Sequence, residues 1–371
     1  MPPAETPPDS QAGPRAARLP RGSRLGEVHL AVTDRTRALA FWTQVLGLTE
    51  LPGGAAGDRA GAPGVAERDA QTAPGADSAS PGAVRLGTSL SGGRALVVLH
   101  PGATGPVVPR RTGLYHVALH VTTRRELARV VARLFALRYP NSPTDHLVSE
   151  TTYLADPDGN GIELTLETPE RGSFLSEPVG GMMARTTDGE LRSGRDPVDL
   201  DSLFAELGPS PDLMAPLASD RVHHVHLHVA HLEGDGAFYR DVVGFPQQTY
   251  VPLFQMLDYS LSPDTVVHSL ALNSWAGEGA PPRPAGTAGL VRFTLEVPSP
   301  ADVEALVARL DAAGWPHQAV PGGVEVADPS ANRLRVVVGG GAAAAAPAAG
   351  DSYTTGLVAT APHARLTLGH H

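Results

Sequence analysis

No cysteine occurs in the 371 residues. That absence excludes disulfides, iron–sulfur clusters, thiolate zinc sites and cysteine nucleophiles. Aromatic residues make up only 5% of the chain and charged residues 18%, with 39 acidic against 29 basic groups for a formal charge of −10. So acidic a chain repels phosphate backbones, and with no basic patch in the sequence nucleic acid is not an expected partner. No window approaches the roughly 20 apolar residues of a membrane helix, and the first residues lack the apolar stretch of a signal peptide. No membrane association is expected, and the cytoplasm is the expected location. Missing too are G-x-G-x-x-G after a buried strand, G-x-x-x-x-G-K-[ST], H-E-x-x-H and G-x-S-x-G, the loops and helices of common nucleotide, zinc and serine chemistry. What the chain does have is 41 Gly, 35 Pro and 15 His. Gly and Pro at that level suggest a folded core diluted by connectors, and the histidines become the main candidates for metal or proton chemistry.

Internal repeats organise the chain. EVHLAVTDRTRALAFWTQVLGL (27–48) matches HVHLHVAHLEGDGAFYRDVVGF (224–245), and Phe41 and Phe238 align with His29 and His226 twelve residues before them. A second pair matches GLYHVALHV, a helix and YLADPDGNGIELTLE (113–167) to GLVRFTLEV, a helix and VEVADPSANRLRVVV (289–338). Each unit reads as strand, helix and returning strands, so the expected fold is α+β, with four βαβββ modules paired into two domains. The expected boundaries are a disordered N-terminus (1–23), a metal-bearing catalytic domain (24–168) with a flexible insertion (52–82), a linker (169–220), a degenerate second domain (221–338) and a low-complexity tail (339–371). The linker is expected to hold one short helix around 198–207.

Strand alternation indicates where chemistry might gather. In the opening strand of the first unit Val28, Leu30 and Val32 share a face opposite His29 and Ala31. In the second unit His116, Ala118 and His120 share a face, as do Glu163, Thr165 and Glu167 of its closing strand. If these strands curl into one sheet, His29, His116 and Glu163 converge on its concave side. Two imidazoles and a carboxylate suit Fe(II), and also Mn(II) or Zn(II). Each histidine alone reads equally as a polar residue on a half-solvated strand.

Repeated βαβββ units with these positions resemble the vicinal-oxygen-chelate superfamily. Within it, TDHLVSETTYLADPDGNGIE (144–163) is similar to the signature of type I extradiol ring-cleavage dioxygenases, with His146, Tyr153, Asp156-Pro157, Gly159 and Glu163 in register and Thr152 a departure. GLYHVALHV adds a likeness to bacterial catechol-2,3-dioxygenase-like proteins with the metal site in the first domain. The resemblance covers 25–167 well and 222–338 at the level of the fold. It implies an Fe(II)-dependent ring-cleavage dioxygenase acting on a small aromatic substrate and O2, with His146 as acid/base and Tyr153 hydrogen-bonding a substrate oxygen. His100 reads as a loop residue and His120 as a polar group of open role. Asp156–Asn160 reads as a turn without a catalytic part.

The second half carries His226 where the first carries His29, but Arg292 for His116 and Arg335 for Glu163. Guanidinium groups do not ligate a cation. The second domain is therefore expected to be structural or to shape the pocket, despite His223, His224, His226, His228 and His231. Other readings on this scaffold are a glyoxalase-type isomerase, a metal-dependent thiol transferase, or a non-catalytic binding or resistance protein. The ring substituents and oligomeric state, a homo-oligomer included, stay open.

Overall fold

In the computed structural model, residues 17–52, 82–262 and 267–339 are described. The insertion and tail expected from the sequence therefore lie almost wholly outside the described residues. Residues 17–23, expected to belong to a disordered N-terminus, pack instead: Leu19 N–H donates to Gly244 O at 2.8 Å and its side chain lies against the core.

The four modules form as the hydrophobic periodicities require. The first runs β1 (Arg24–Val32), α1 (Arg35–Ala40), β2 (Thr49–Glu50), β3 (Val84–Gly87) and β4 (Val97–Pro101). The second runs β5 (Gly113–His120), α2 (Arg124–Ala136), β6 (Ser142–Asp145), β7 (Ser149–Ala155) and β8 (Gly161–Glu167). A connector follows with β9 (Gly172–Val179), β10 (Met182–Thr186), β11 (Leu191–Arg192), β12 (Asp196–Pro197) and the expected short helix, α3 (Leu200–Phe204). The third module runs β13 (Val222–His228), α4 (Leu232–Ala237), β14 (Gln247–Val251), β15 (Met256–Tyr259) and β16 (Leu270–Asn273). The fourth runs β17 (Gly289–Val297), α5 (Pro300–Ala312), β18 (His317–Val320), β19 (Gly323–Ala327) and β20 (Arg333–Val338).

Local chemistry sets the helix ends. Thr123 caps α2 by accepting from Glu126 N–H, and Ser299 and Asp302 form a capping box on α5 with Pro300 at its first turn. Helices α1 and α4 both pass into a π-helical turn, at Phe41–Val45 and Phe238–Val243, so the repeat extends to the backbone. The apolar strand faces meet these helices in a core that includes Trp42, Leu119, Leu164, Val225, Tyr239 and Phe293, each almost fully buried.

The pairing of modules differs from the expectation. One sheet has the order β18-β19-β20-β17-β1-β4-β3-β2 and the other β12-β6-β7-β8-β5-β13-β16-β15-β14. The first module thus shares a sheet with the fourth, through β1 and β17, and the second with the third, through β5 and β13. The stretches 24–168 and 221–338 interleave, and neither makes a sheet by itself. Opening strands carry free edges that must pair, and repeated modules offer more than one equivalent partner.

The DP-x-x-N turns lock the modules together. Asp156 accepts from Asp158 N–H and from Asn160, which closes the turn. Asp158 then accepts from Thr33 N–H (2.9 Å) and Thr33 Oγ1 (2.6 Å) and pairs with Arg37 (2.5 Å), joining the second module to the first. Asp158→Ala is expected to cost about 2–4 kcal/mol, because it strands these donors beside a buried site. Urea unfolding measures this; a loss below about 0.5 kcal/mol, the range of an ordinary surface substitution, would show the contact to be incidental.

Candidate metal centre

The sheet of the second and third modules brings three ligand atoms together. His116 Nε2 and His224 Nε2 are 2.8 Å apart, and each lies 3.0 Å from Glu163 Oε2. All three residues are at most 4% exposed. Among the described residues, no other group of three His, Asp or Glu ligand atoms is as close.

Position follows from register. Glu163 on β8 sits beside Ala118 in the parallel pair with β5, and His224 on β13 sits opposite the same Ala118 from the other side. Two β-bulges adjust the strands: His223 is the extra residue on β13 and Tyr115 the extra residue on β5. At Gly161 the β5 backbone comes so close that a Cβ would lie 1.9 Å from Tyr115 O, so a side chain there would force the strands apart.

The electrostatics suit a cation. Burial would raise the Glu163 carboxyl, but the adjoining His224 and His116 outweigh it and hold it well below the usual carboxylate range. Burial pushes the His116 imidazole down, against the pull of Glu163, so it stays neutral with a lone pair to offer. Buried His116 Nδ1 has no hydrogen-bond partner. The ring is packed among Tyr115, Tyr153, His224 and His226, with Nε2 where the other two donors meet. Two imidazole nitrogens and an ionised carboxylate at these distances fit a divalent ion.

His29 is not in this group. It lies on β1 in the other sheet, where its Nδ1 is 2.8 Å from His100 Nε2 and its Nε2 is 3.0 Å from Glu27 Oε1. The expected convergence of His29 with His116 and Glu163 fails because the first and second modules do not share a sheet. The second imidazole beside Glu163 belongs to His224 instead, on the third module, where the sequence reading placed no ligand. The aligned repeat itself held the signal: His224 occupies the position of Glu27, two residues before the histidine pair His29 and His226. His226 hydrogen-bonds Asn273 at 2.8 Å, just as His29 bonds His100. In the other sheet Arg292 and Arg335 stand where His116 and Glu163 would, and their positive charge helps hold down the Glu27 carboxyl or feels it in return.

His100, expected in a loop, is the fourth residue of β4, and burial pushes its imidazole down to about 4 from 6.5. The unfolded chain then binds the proton more readily, so this contribution to stability is complete above about pH 6.5 and lost as pH falls toward 4. His100→Asn is expected to flatten the acid limb of stability by up to about 1.4 kcal/mol per pH unit over that window. Urea unfolding from pH 7.5 to 4.5 tests it, and equal slopes for both proteins would refute it.

His146 and Tyr153 do lie at the edge of the triad. Tyr153 on β7 is directly opposite Glu163 on β8, and its ring is 5.5 Å from that of His116. Burial and the Glu163 charge push its phenol well above 10, so it remains a donor. Its hydroxyl donates to His146 Nε2 at 2.8 Å, while His146 Nδ1–H donates to Gly194 O at 2.6 Å. Since Gly194 O can only accept, His146 Nδ1 carries a proton. The turn holding His146 is fixed by Asp145, which accepts from Leu147 N–H and pairs with Arg171 at 2.6 Å.

The sequence reading missed His268. Its ring lies 4.3 Å from that of His224, with Nδ1 4.0 Å from Asp258 Oδ2. His120 pairs with Asp220 at 2.7 Å and stacks on His223 at 6.1 Å. Tyr115 and Trp275, 38% and 43% exposed, meet edge-on at 5.0 Å, and Tyr115 is 4.9 Å from His116.

Comparison with known proteins agrees with this architecture. The profile of the Glyoxalase/Bleomycin resistance protein/Dioxygenase superfamily matches residues 24–164 and 221–335. Catechol-2,3-dioxygenase of Bacillus subtilis (strain 168) is 33% identical over 244 residues, which cover 65% of this chain and 81% of that protein. The crystal structure of a candidate dioxygenase from Bacillus subtilis superposes with a TM-score of 0.55 at 12% identity, covering 87% of this chain and 86% of the other, a likeness of fold. No helix among the described residues is long and apolar enough to cross a membrane.

Proposed function

The chain belongs to the glyoxalase/bleomycin resistance protein/dioxygenase superfamily, and from that membership we propose that it is an Fe(II)-dependent extradiol dioxygenase that opens catechol or a substituted catechol beside its two hydroxyls. The observation that carries the reading is the buried His116–Glu163–His224 donor set with the Tyr153–His146 pair at its edge. Two histidines and one carboxylate with remaining positions open are the ligand set of non-haem iron oxygenases, though Mn(II) and Zn(II) accept the same donors. Bound there, the ion would supply a centre that gathers both catechol oxygens and O2 and passes electron density between them.

The chain's own residues divide the remaining work. His116, Glu163 and His224 would hold the ion. His146 takes a catechol proton and later returns it, since imidazole exchanges protons near neutrality. Tyr153 orients a substrate oxygen with its hydroxyl. The partly exposed rings of Tyr115, beside His116, and Trp275, beside His226, meet edge-on in an apolar corner, which favours an aromatic substrate. The related Bacillus subtilis catechol-2,3-dioxygenase supports the same chemistry.

The test is oxygen uptake by protein reconstituted anaerobically with Fe(II), on mixing with catechol or 4-methylcatechol while the visible spectrum is followed. Stoichiometric O2 loss with a growing yellow absorbance is expected. Bound metal without uptake would redirect the reading to an isomerase or thiol transferase, and absence of metal binding to a binding protein.

A further inference from the structure

His223 and His224 are neighbours on β13, and regular pleating would send their side chains to opposite faces. The bulge at His223 breaks that alternation, and the two rings meet with His223 Nδ1 2.7 Å from His224 Nδ1. His224 has its other nitrogen, Nε2, at the triad. For Nε2 to offer a lone pair, the proton of neutral His224 must sit on Nδ1, where it donates to His223 Nδ1. His223 must then carry its own proton on Nε2, which is 3.0 Å from Glu167 Oε1. This assignment leaves His224 Nε2 free to ligate and places the His223 proton on the nitrogen nearest Glu167. Glu167 is fixed in turn by Arg221 at 2.6 Å.

We propose that Glu167 and His223 form a strut that fixes the ring orientation and tautomer of His224, with the β13 bulge as the device that brings His223 into line. A ligating histidine commonly donates its second N–H to a carboxylate or carbonyl. Here a second imidazole is interposed, and the carboxylate acts at one remove. His116 has no such support, since its Nδ1 is without a partner. The strut is therefore the protein's means of pre-setting one imidazole of the pair. Its outer contact is the weaker one: the His223 Nε2–H does not point straight at Glu167, which is 28% exposed. His223 and Glu167 are positioning residues, and neither ligand atom set nor substrate is touched by Glu167.

The inference rests on the triad being a metal site, and it is read as metal affinity, so it is independent of whether catechol is cleaved. Co(II) binding to the full-length apo chain is measured by chelator competition together with the visible d–d spectrum. His223→Ala is expected to weaken Co(II) binding about 10–100-fold, the usual effect of losing a partner behind a ligand. His223→Asn places an amide oxygen near the lost Nδ1 and is expected to recover most of that affinity. Glu167→Ala is expected to lose less than His223→Ala, and adding it to His223→Ala should change nothing further. A merely structural role would give neither the rescue by Asn nor this non-additivity. Wild-type affinity and spectrum in folded His223→Ala, or additive losses in the double variant, would overturn the strut. His116→Ala serves as the control: if it too binds Co(II) like wild type, the metal reading itself has failed.

Discussion

His224→Ala is expected to abolish tight metal binding and, with it, turnover, whereas His29→Ala leaves both close to wild type. Removing one of three ligands should weaken the site by more than the roughly 10–100-fold that follows from losing a supporting partner. The argument is geometric. His224 Nε2 lies within 3.0 Å of both other donor atoms, and the charge of Glu163 is held in place by His224 and His116 together. His29 sits in the other sheet against Glu27 and His100, with Arg292 and Arg335 nearby to repel a cation. Metal content after gel filtration, with thermal melting to verify folding, separates the two variants. Loss of metal in a folded His29→Ala protein, with metal retained in His224→Ala, would reverse the assignment of the site and the pairing of modules on which it depends.

His146→Phe is expected to lower ring cleavage by about 10²–10⁴-fold, the range for losing a general acid/base, while metal content stays at the wild-type level. His146 touches Tyr153 at the edge of the triad and is not one of the three close donors, so its loss is expected to affect proton exchange and not metal content. Tyr153→Phe keeps the imidazole and removes the hydroxyl between it and the site, and should cause a smaller fall. Single-turnover kinetics with Fe(II)-loaded protein would resolve the two effects. Metal loss from His146→Phe would withdraw the acid/base role, and unchanged kcat would assign His146 to the support of Tyr153 alone.

Much of the site was readable from the residue pattern. Alternation along β5 and β8 placed His116 and Glu163 on one face, and parallel pairing of those strands sets Glu163 beside Ala118. The signature spacing put Tyr153 on the strand beside Glu163 and His146 in the turn before it, and their 2.8 Å contact lies at the edge of the triad. The repeat period showed four modules, with Arg292 and Arg335 standing where the second module has His116 and Glu163. These features are local or nearly so, since a period of two and a turn of fixed length act within a single module.

The partner of each module was a different kind of question. Four similar units present similar edges, and the same alternation fits a first module paired with the second or with the fourth. Which edges join is decided by contacts far apart in sequence, such as His29 opposite Arg292 and His226 opposite His116. That choice moved His29 out of the site and His224 into it. The bulge at His223 was equally hidden, because one extra residue in a ladder is defined only against the strand it faces. Residue pattern alone yields the four modules and gathers His116, Glu163, Tyr153 and His146 within one of them. His224 joins them only through the pairing of β13 with β5, because a candidate donor set drawn from two modules forms only once their edges have met.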